Sequence, residues 1–291
     1  MKIHPVKICC VCGSALSQTR QSWHFKCSQC HYEKADLQPA INIYEKHALI
    51  HEDTRQNGLR TLRINNFKTL LKQIKRLKPH GGSLLEVGSA HGWFLETAKK
   101  DFCVLGIEPD KALVKKHFEY NLPVRCGYFP HGLQKDDYFD IIVFNDVIEH
   151  IQNIEECLHN CFQHLNKDGL LVLNLPNSHG FFYRLSKIFS VLGFVKAFER
   201  MWQKSLPSPH LHYFNPKNII ELLQIHGFTC TSEVKKLPSI RLKGLYSRIT
   251  YTGNYHPILR IGFYLFIMSI LPMLKFLPSD IMYVIAKRQC V

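Results

Sequence analysis

The chain has 291 residues, enough for one large domain and a small accessory one. An apolar fraction of 46% is ordinary for a globular protein and excludes a chain too polar to bury a core. The net charge of +14, before any of the 17 histidines is counted, favours anionic partners such as nucleic acid, anionic lipid or phosphorylated substrates. A merely solvated basic surface is the alternative, because composition does not locate a patch.

Residues 1–38 form a cysteine-bearing unit. Cys9-x2-Cys12 and Cys27-x2-Cys30 set two thiolate pairs on tight turns, the spacing that surrounds Zn2+ tetrahedrally. Gly13 suits the first turn, and Cys10 is a spare with poorer spacing. Four sulfur ligands leave no open position, so the expectation is a structural zinc ribbon, with a redox pair as the alternative. Met1 to Pro5 shows no signal-peptide pattern, so the expected setting is the reducing cytosol. Residues 39–80 read as a helical linker. Phe67, Leu70, Leu71, Ile74 and Leu77 predict a helix over 65–77, and Pro79-His80-Gly81-Gly82 breaks it.

From residue 81 strands alternate with helices. Strands are predicted at 83–88, 103–108, 123–126, 139–145 and 169–175, and helices at 93–100, 110–120 and 154–165. That order implies a Rossmann-like, doubly wound α/β sheet covered on both faces. The run Leu84-Leu85-Glu86-Val87 ends in Gly88-Ser89-Ala90-His91-Gly92 and feeds a helix. A strand passing through a tight turn into a helix N-terminus is how such proteins cradle nucleotide-like ligands. Glu108, at the tip of the next strand, can accept hydrogen bonds from a ribose.

After residue 178 the pattern changes. Residues 179–214 form an aromatic, basic insertion. Asn215-Pro216 then reads as an N-cap with proline at the first helical position, and Gly227 as the stop. Strands are expected at 228–235 and 281–287, around a second insertion at 236–279. Within it, Ile258–Leu277 carries only Arg260 and Lys275 as charges. At about 1.5 Å per residue it could just span a bilayer, but Pro272 and Lys275 favour a helix lying in the interface or capping a pocket. Ordinary packing of two lid helices is the alternative.

The loop Glu86–Gly92 resembles motif I of class I S-adenosylmethionine-dependent methyltransferases, with Ala90 where that family usually has glycine. The resemblance implies that Glu86 meets the methionine amino group, that Gly88 lets the ligand lie against the chain, and that Glu108 is the ribose-binding acid. The backbone of Ala90 and Gly92 completes the loop. Tyr138–Ile151, Leu165–Asn177 and His210–Pro216 resemble, in order, the later elements of the ubiquinone-biosynthesis-like branch. The likeness covers residues 80–235. It implies a seven-stranded methyltransferase-type sheet with its last strand antiparallel, in a domain over residues 81–291. Cys126–Phe129 stands where relatives place an adenine-reading acid, so adenine recognition falls to backbone near Tyr128. Asn145 is a further cofactor-side candidate. Dehydrogenases lose their claim because no Gly-x-Gly-x-x-Gly exists.

In some members of that branch an acid-x-x-Glu-His cluster holds a divalent metal. Asp146, Glu149 and His150 match it, with Mg2+ or Zn2+ as the ion, or else the pair simply orders the loop. His150 is also a candidate base, since imidazole titrates near about 6.5. His210 and His212, in the lid loop, either act on an acceptor or cap the next helix. The resulting expectation is S-adenosylmethionine-dependent methyl transfer to an oxygen of a small-molecule, quinone-precursor or lipid-linked glycan acceptor, by a protein peripheral at the membrane. Two alternatives stay open. An RNA methyltransferase suits the ribbon and the charge, though Asn145-Asp-Val-Ile148 lacks the Asn/Asp-Pro-Pro-aromatic tetrad of base amino-methylating enzymes. A non-catalytic, zinc-braced binding protein would explain Ala90 and the missing adenine acid.

Overall fold

The computed structural model describes residues 6–40, 52–240, 245–246 and 257–289. The chain opens with three short antiparallel strands, β1 (Leu16–Gln18), β2 (His24–Cys27) and β3 (Glu33–Ala35). Both Cys-x-x-Cys turns end in the left-handed region, at Gly13 (φ 72°) and His31 (φ 60°). A long helix, α1 (Glu52–Leu77), follows. It is more than a spacer. Phe67, Leu70, Leu71 and Ile74 are buried against Phe94, Ala98 and Phe102, so the helix covers one face of the main sheet.

The main sheet then builds outward in both directions from β4 (Ser83–Val87), which is flanked by β5 (Cys103–Glu108) and β7 (Phe139–Asn145). β6 (Val124–Cys126) extends one edge, and β8 (Leu165–Pro176) the other, all in parallel. Residues 141–145 of β7 are all buried, as expected of a parallel strand covered on both faces. Crossovers run through α2 (Trp93–Ala98), α3 (Lys111–Glu119) and α4 (Ile154–His164). Asp110 caps α3 by accepting from the amides of Ala112 and Leu113.

Beyond β8 come α5 (Phe181–Val191), α6 (Val195–Met201), β9 (His212–Tyr213) and α7 (Pro216–Ile225). Asn215 and Asn218 form a capping box on α7 with Pro216 at its start. The strand expected over 228–235 is instead two, β10 (Phe228–Cys230) and β11 (Lys235–Leu237), because the polar Ser232-Glu233 stretch turns the chain between them. Both pair with β12 (Ile281–Arg288), which lies antiparallel against β8. The sheet order is β6-β5-β4-β7-β8-β12-β10 with β11 alongside, the methyltransferase-type arrangement with its last strand reversed. The second insertion contributes α8 (Pro257–Ile270). Among the described residues no helix is long and apolar enough to cross a membrane.

The cysteine unit is welded to this body. β3 pairs with β9, Glu33 opposite Tyr213 and Lys34 opposite His212. Asn215 and Asn218 both donate from Nδ2 to the Cys30 carbonyl, at 3.1 and 3.2 Å. Glu33 is buried where the two parts meet and accepts from His24 at 2.9 Å, Tyr183 Oη at 2.7 Å and Lys187 Nζ at 2.7 Å. Burial alone would raise its pKa, but the His24 bond and the Lys187 charge outweigh that and bring it down to about 2.

Candidate active site

A cleft of about 710 Å3 opens at the C-terminal ends of β4, β5, β6 and β7. This is the edge where open parallel sheets place ligands. One end is built by the β4–α2 loop. Gly88 (φ 71°) needs to be glycine twice over: its backbone is left-handed, and a Cβ there would stand 2.6 Å from Val147 Cγ2. Ala90 adopts φ 43°, a region that costs an L-residue about 1–2 kcal/mol. What holds it there is Glu108, whose Oε2 accepts from the Ala90 amide at 2.8 Å and Oε1 from the Asp110 amide at 2.9 Å. Glu108 thus ties the tips of β4 and β5 together and still faces the cleft with lone pairs to spare. Burial raises its pKa against the pull of those two amides.

Glu86 lies deeper. It is 2% exposed, and Asn145 Nδ2 donates to its Oε1 at 2.9 Å while Oε2 has no hydrogen-bond partner among the described residues. Burial pushes its carboxyl up to about 8, with the Asn145 bond opposing. Asn145 lines the cleft and Glu86 stands directly behind it. Gly127, Tyr128, Phe129 and Leu113 close this end, with Tyr128 half-exposed.

The far end is roofed by parts of the chain that sequence motifs did not mark. Leu59 and Arg63 of α1, Pro39, and the segment from Gln203 to Ser208 after α6 all line it. His150 faces this end, and its Nδ1–H donates to the Pro209 carbonyl at 2.7 Å. That bond fixes the tautomer with the lone pair on Nε2. Glu149 is 1% exposed, and its Oε1 lies 3.9 Å from both His150 Nε2 and His210 Nε2. Burial, then the charge of Asp146, drives the Glu149 pKa well above the usual carboxylate range.

The expected trio of Asp146, Glu149 and His150 is not what the fold assembles. Asp146, at φ 55°, turns its carboxylate to Arg63 at 3.0 Å, and His210 takes the third place. This donor set of one carboxylate and two imidazoles does not suit Mg2+, which prefers oxygen. His210 Nε2 is moreover bonded to the Gln203 amide at 2.8 Å. His212 is corrected as a candidate base. It is buried at the seam with the cysteine unit, bonded through Nδ1 to Tyr32 Oη and through Nε2 to the Ile151 carbonyl at 2.7 Å. Both ring nitrogens are used, and burial lowers its pKa to about 4.

Against known proteins, a family model described as "Methyltransferase domain" matches residues 61–233. The chain belongs to the methyltransferase domain family. The match begins inside α1 and ends between β10 and β11, so it takes in the whole cradle and His150, while Pro39 and Leu59 of the cleft lie outside it. This methyltransferase domain is 27% identical over 196 residues to the mitochondrial ubiquinone biosynthesis O-methyltransferase of Bos taurus, covering 62% of this chain and 51% of that one. Over 190 residues it is 22% identical to the ubiquinone biosynthesis O-methyltransferase of Rickettsia conorii, covering 62% and 64%. The chain thus spans about half to two-thirds of the length of these curated relatives. Among solved structures, a SAM-dependent methyltransferase of Thermotoga maritima superposes with a TM-score of 0.50 at 16% identity, covering 82% of this chain and 96% of that one, a likeness of fold.

The four cysteines of the methyltransferase's N-terminal unit converge. Cys9 and Cys30 sulfurs are 3.5 Å apart, Cys12 and Cys27 sulfurs 3.4 Å, and all four lie within 4.8 Å of one another. Tetrahedral zinc with Zn–S of about 2.3 Å sets sulfurs about 3.8 Å apart, so the cluster fits that ion. Cys10 stays outside it.

Proposed function

We propose that this methyltransferase domain transfers a methyl group from S-adenosylmethionine to a phenolic oxygen of a quinone-precursor-type acceptor, including one that carries a lipid tail. The observation that carries the reading is that one cleft is lined both by the Glu108-tied loop and by His150, which has Glu149 and His210 beside it. The printed names of the curated relatives supply the acceptor class.

Bound S-adenosylmethionine would supply an electrophilic methyl on a sulfonium, so the protein's task is positioning and removal of the acceptor proton. Glu108 offers its spare lone pairs to the ribose hydroxyls. Gly88 lets the ligand approach the backbone. Glu86, reached through Asn145, answers the ammonium of the methionine moiety. The backbone from Gly127 to Phe129 borders the adenine. At the other end His150 Nε2 takes the phenolic proton, because Pro209 keeps the opposite nitrogen protonated. Gln203 and His210 fix the Glu149 side of the site. The cysteine cluster holds a structural zinc and so braces the loop that carries His210. Ala35 N donates to Leu211 O, and Leu211 N to Glu149 O.

The test is calorimetric titration with S-adenosylmethionine. Glu108→Ala is expected to weaken binding by about 1–3 kcal/mol, the range for hydrogen bonds to a charged group. No binding by folded wild-type protein would end the proposal.

A further inference from the structure

The two insertions leave an apolar surface that the fold does not use. α8 packs inward through Tyr264, Ile267 and Ile270 against Phe182 at the start of α5, and the Phe181 amide donates to the Pro278 carbonyl at 3.0 Å. Its opposite side bears Ile258, Ile261, Leu265 and Met268, all exposed. Their spacing of three, four and three residues makes one stripe along the helix. Phe266, off this stripe, and Met273 and Phe276 just beyond α8, the latter 89% exposed, are further exposed apolar side chains of the same insertion. The turn between α5 and α6 is similar, with Ile188, Val191, Leu192 and Phe194 exposed. A monomer in water does not ordinarily keep so many large apolar side chains uncovered on two adjoining elements.

Charge identifies what covers it. Neither 179–198 nor 235–279 contains an aspartate or glutamate. Exposed Arg184 and Lys196 flank the apolar turn of α5 and α6, and the first carboxylate beyond it, Glu199, is paired with Lys204 at 2.5 Å. Apolar side chains beside cations, with no anion among them, are the chemistry of an anionic bilayer surface. A second copy fits poorly, because two such faces would oppose like charges.

We infer that α8 and the α5–α6 turn form a docking surface for an anionic lipid bilayer, with the Ile258–Met268 stripe entering the apolar layer and the lysines and arginines facing the headgroups. The location serves the cleft. α5 leaves the C-terminal end of β8, the edge on which the cleft opens, and α6 runs into Gln203–Ser208, which roofs the acceptor end. The surface would thus deliver a lipid-tailed acceptor from the membrane. That purpose rests on the proposed acceptor class, but docking itself does not.

The experiment is co-sedimentation of the full chain with vesicles of phosphatidylcholine, with and without phosphatidylglycerol. Binding is expected with the anionic vesicles and is expected to weaken as salt rises. Ile261→Glu combined with Leu265→Glu, both on the exposed stripe, is expected to lower vesicle affinity at least about tenfold. A Leu265→Trp variant, with brominated lipid as quencher, reads insertion without adding a charge. Quenching that needs the anionic lipid supports the docking surface. Absence of binding to anionic vesicles, unchanged affinity of the double variant, or an unquenched Trp would overturn it. So would a dimer in sedimentation equilibrium that the double variant dissolves. None of these readouts depends on methyl transfer, so failure of the acceptor proposal would leave them standing.

Discussion

Glu86 gives the sharpest prediction, because its surroundings turn ligand binding into a proton count. Before ligand binds, burial holds its carboxyl near 8, so at pH 7 about 90% of it is protonated. A ligand ammonium about 6 Å away, at an effective dielectric of about 20, contributes about 2.8 kcal/mol, or about two pH units. The carboxyl would then titrate near about 6, and binding at pH 7 would release about 0.8 proton. Titration of S-adenosylmethionine into the protein, in buffers of different ionisation enthalpy, reads that number directly. Glu86→Gln keeps an oxygen for Asn145 Nδ2 and has no proton to lose. It is expected to release fewer protons than wild type by that amount. The same group shapes stability. A carboxyl whose folded pKa lies above its unfolded value of about 4.3 stabilises the fold fully below that value. The contribution is lost as pH rises through about 8. Ligand-free wild type is therefore expected to lose stability relative to Glu86→Gln by up to about 1.4 kcal/mol per pH unit between about pH 5 and 8 in urea unfolding. Equal proton release from the two proteins, or parallel stability curves, would refute the reasoning.

Ala90→Gly should raise stability by about 0.5–1 kcal/mol in urea unfolding, because it removes the left-handed strain at φ 43° at a smaller entropic cost. His150→Ala is expected to lower kcat by about 10²–10⁴ while leaving S-adenosylmethionine affinity unchanged, whereas His212→Ala is expected to show itself in unfolding, by about 1–3 kcal/mol, through the abandoned Tyr32 hydroxyl and Ile151 carbonyl. Metal analysis should return one zinc per chain. Its removal by chelator is expected to speed amide exchange in residues 211–218, which the Cys30 carbonyl and β3 hold.

The sheet and the cofactor end were legible because their signals are local. Leu84–Val87 with its small-residue loop is contiguous in sequence, and so is the apolar run ending at Glu108. The order of strands and helices then leaves few topologies open. The acceptor end was far less legible because it is made by pairings across long stretches of chain. Arg63 meets Asp146 only once α1 folds over the sheet, and nothing local in a lysine-rich helix marks one arginine for that role. His210 and His212 read alike as lid histidines. What separates them is β9 pairing with β3, contacts spanning about 180 residues, which bury His212 against Tyr32 and leave His210 beside Glu149. The split of the expected 228–235 strand has a similar origin, since both halves are defined by their pairing with distant β12.

Under the proposed function, the cleft moves a methyl group from S-adenosylmethionine to a phenolic oxygen. The most direct measurement incubates the zinc-loaded protein with methyl-labelled S-adenosylmethionine and a catechol bearing an apolar tail, presented in anionic vesicles, and follows label into the acceptor. Label on one phenolic oxygen is expected, with the rate lost in His150→Ala. Saturable binding of S-adenosylmethionine with no label in any acceptor of this class would contradict it.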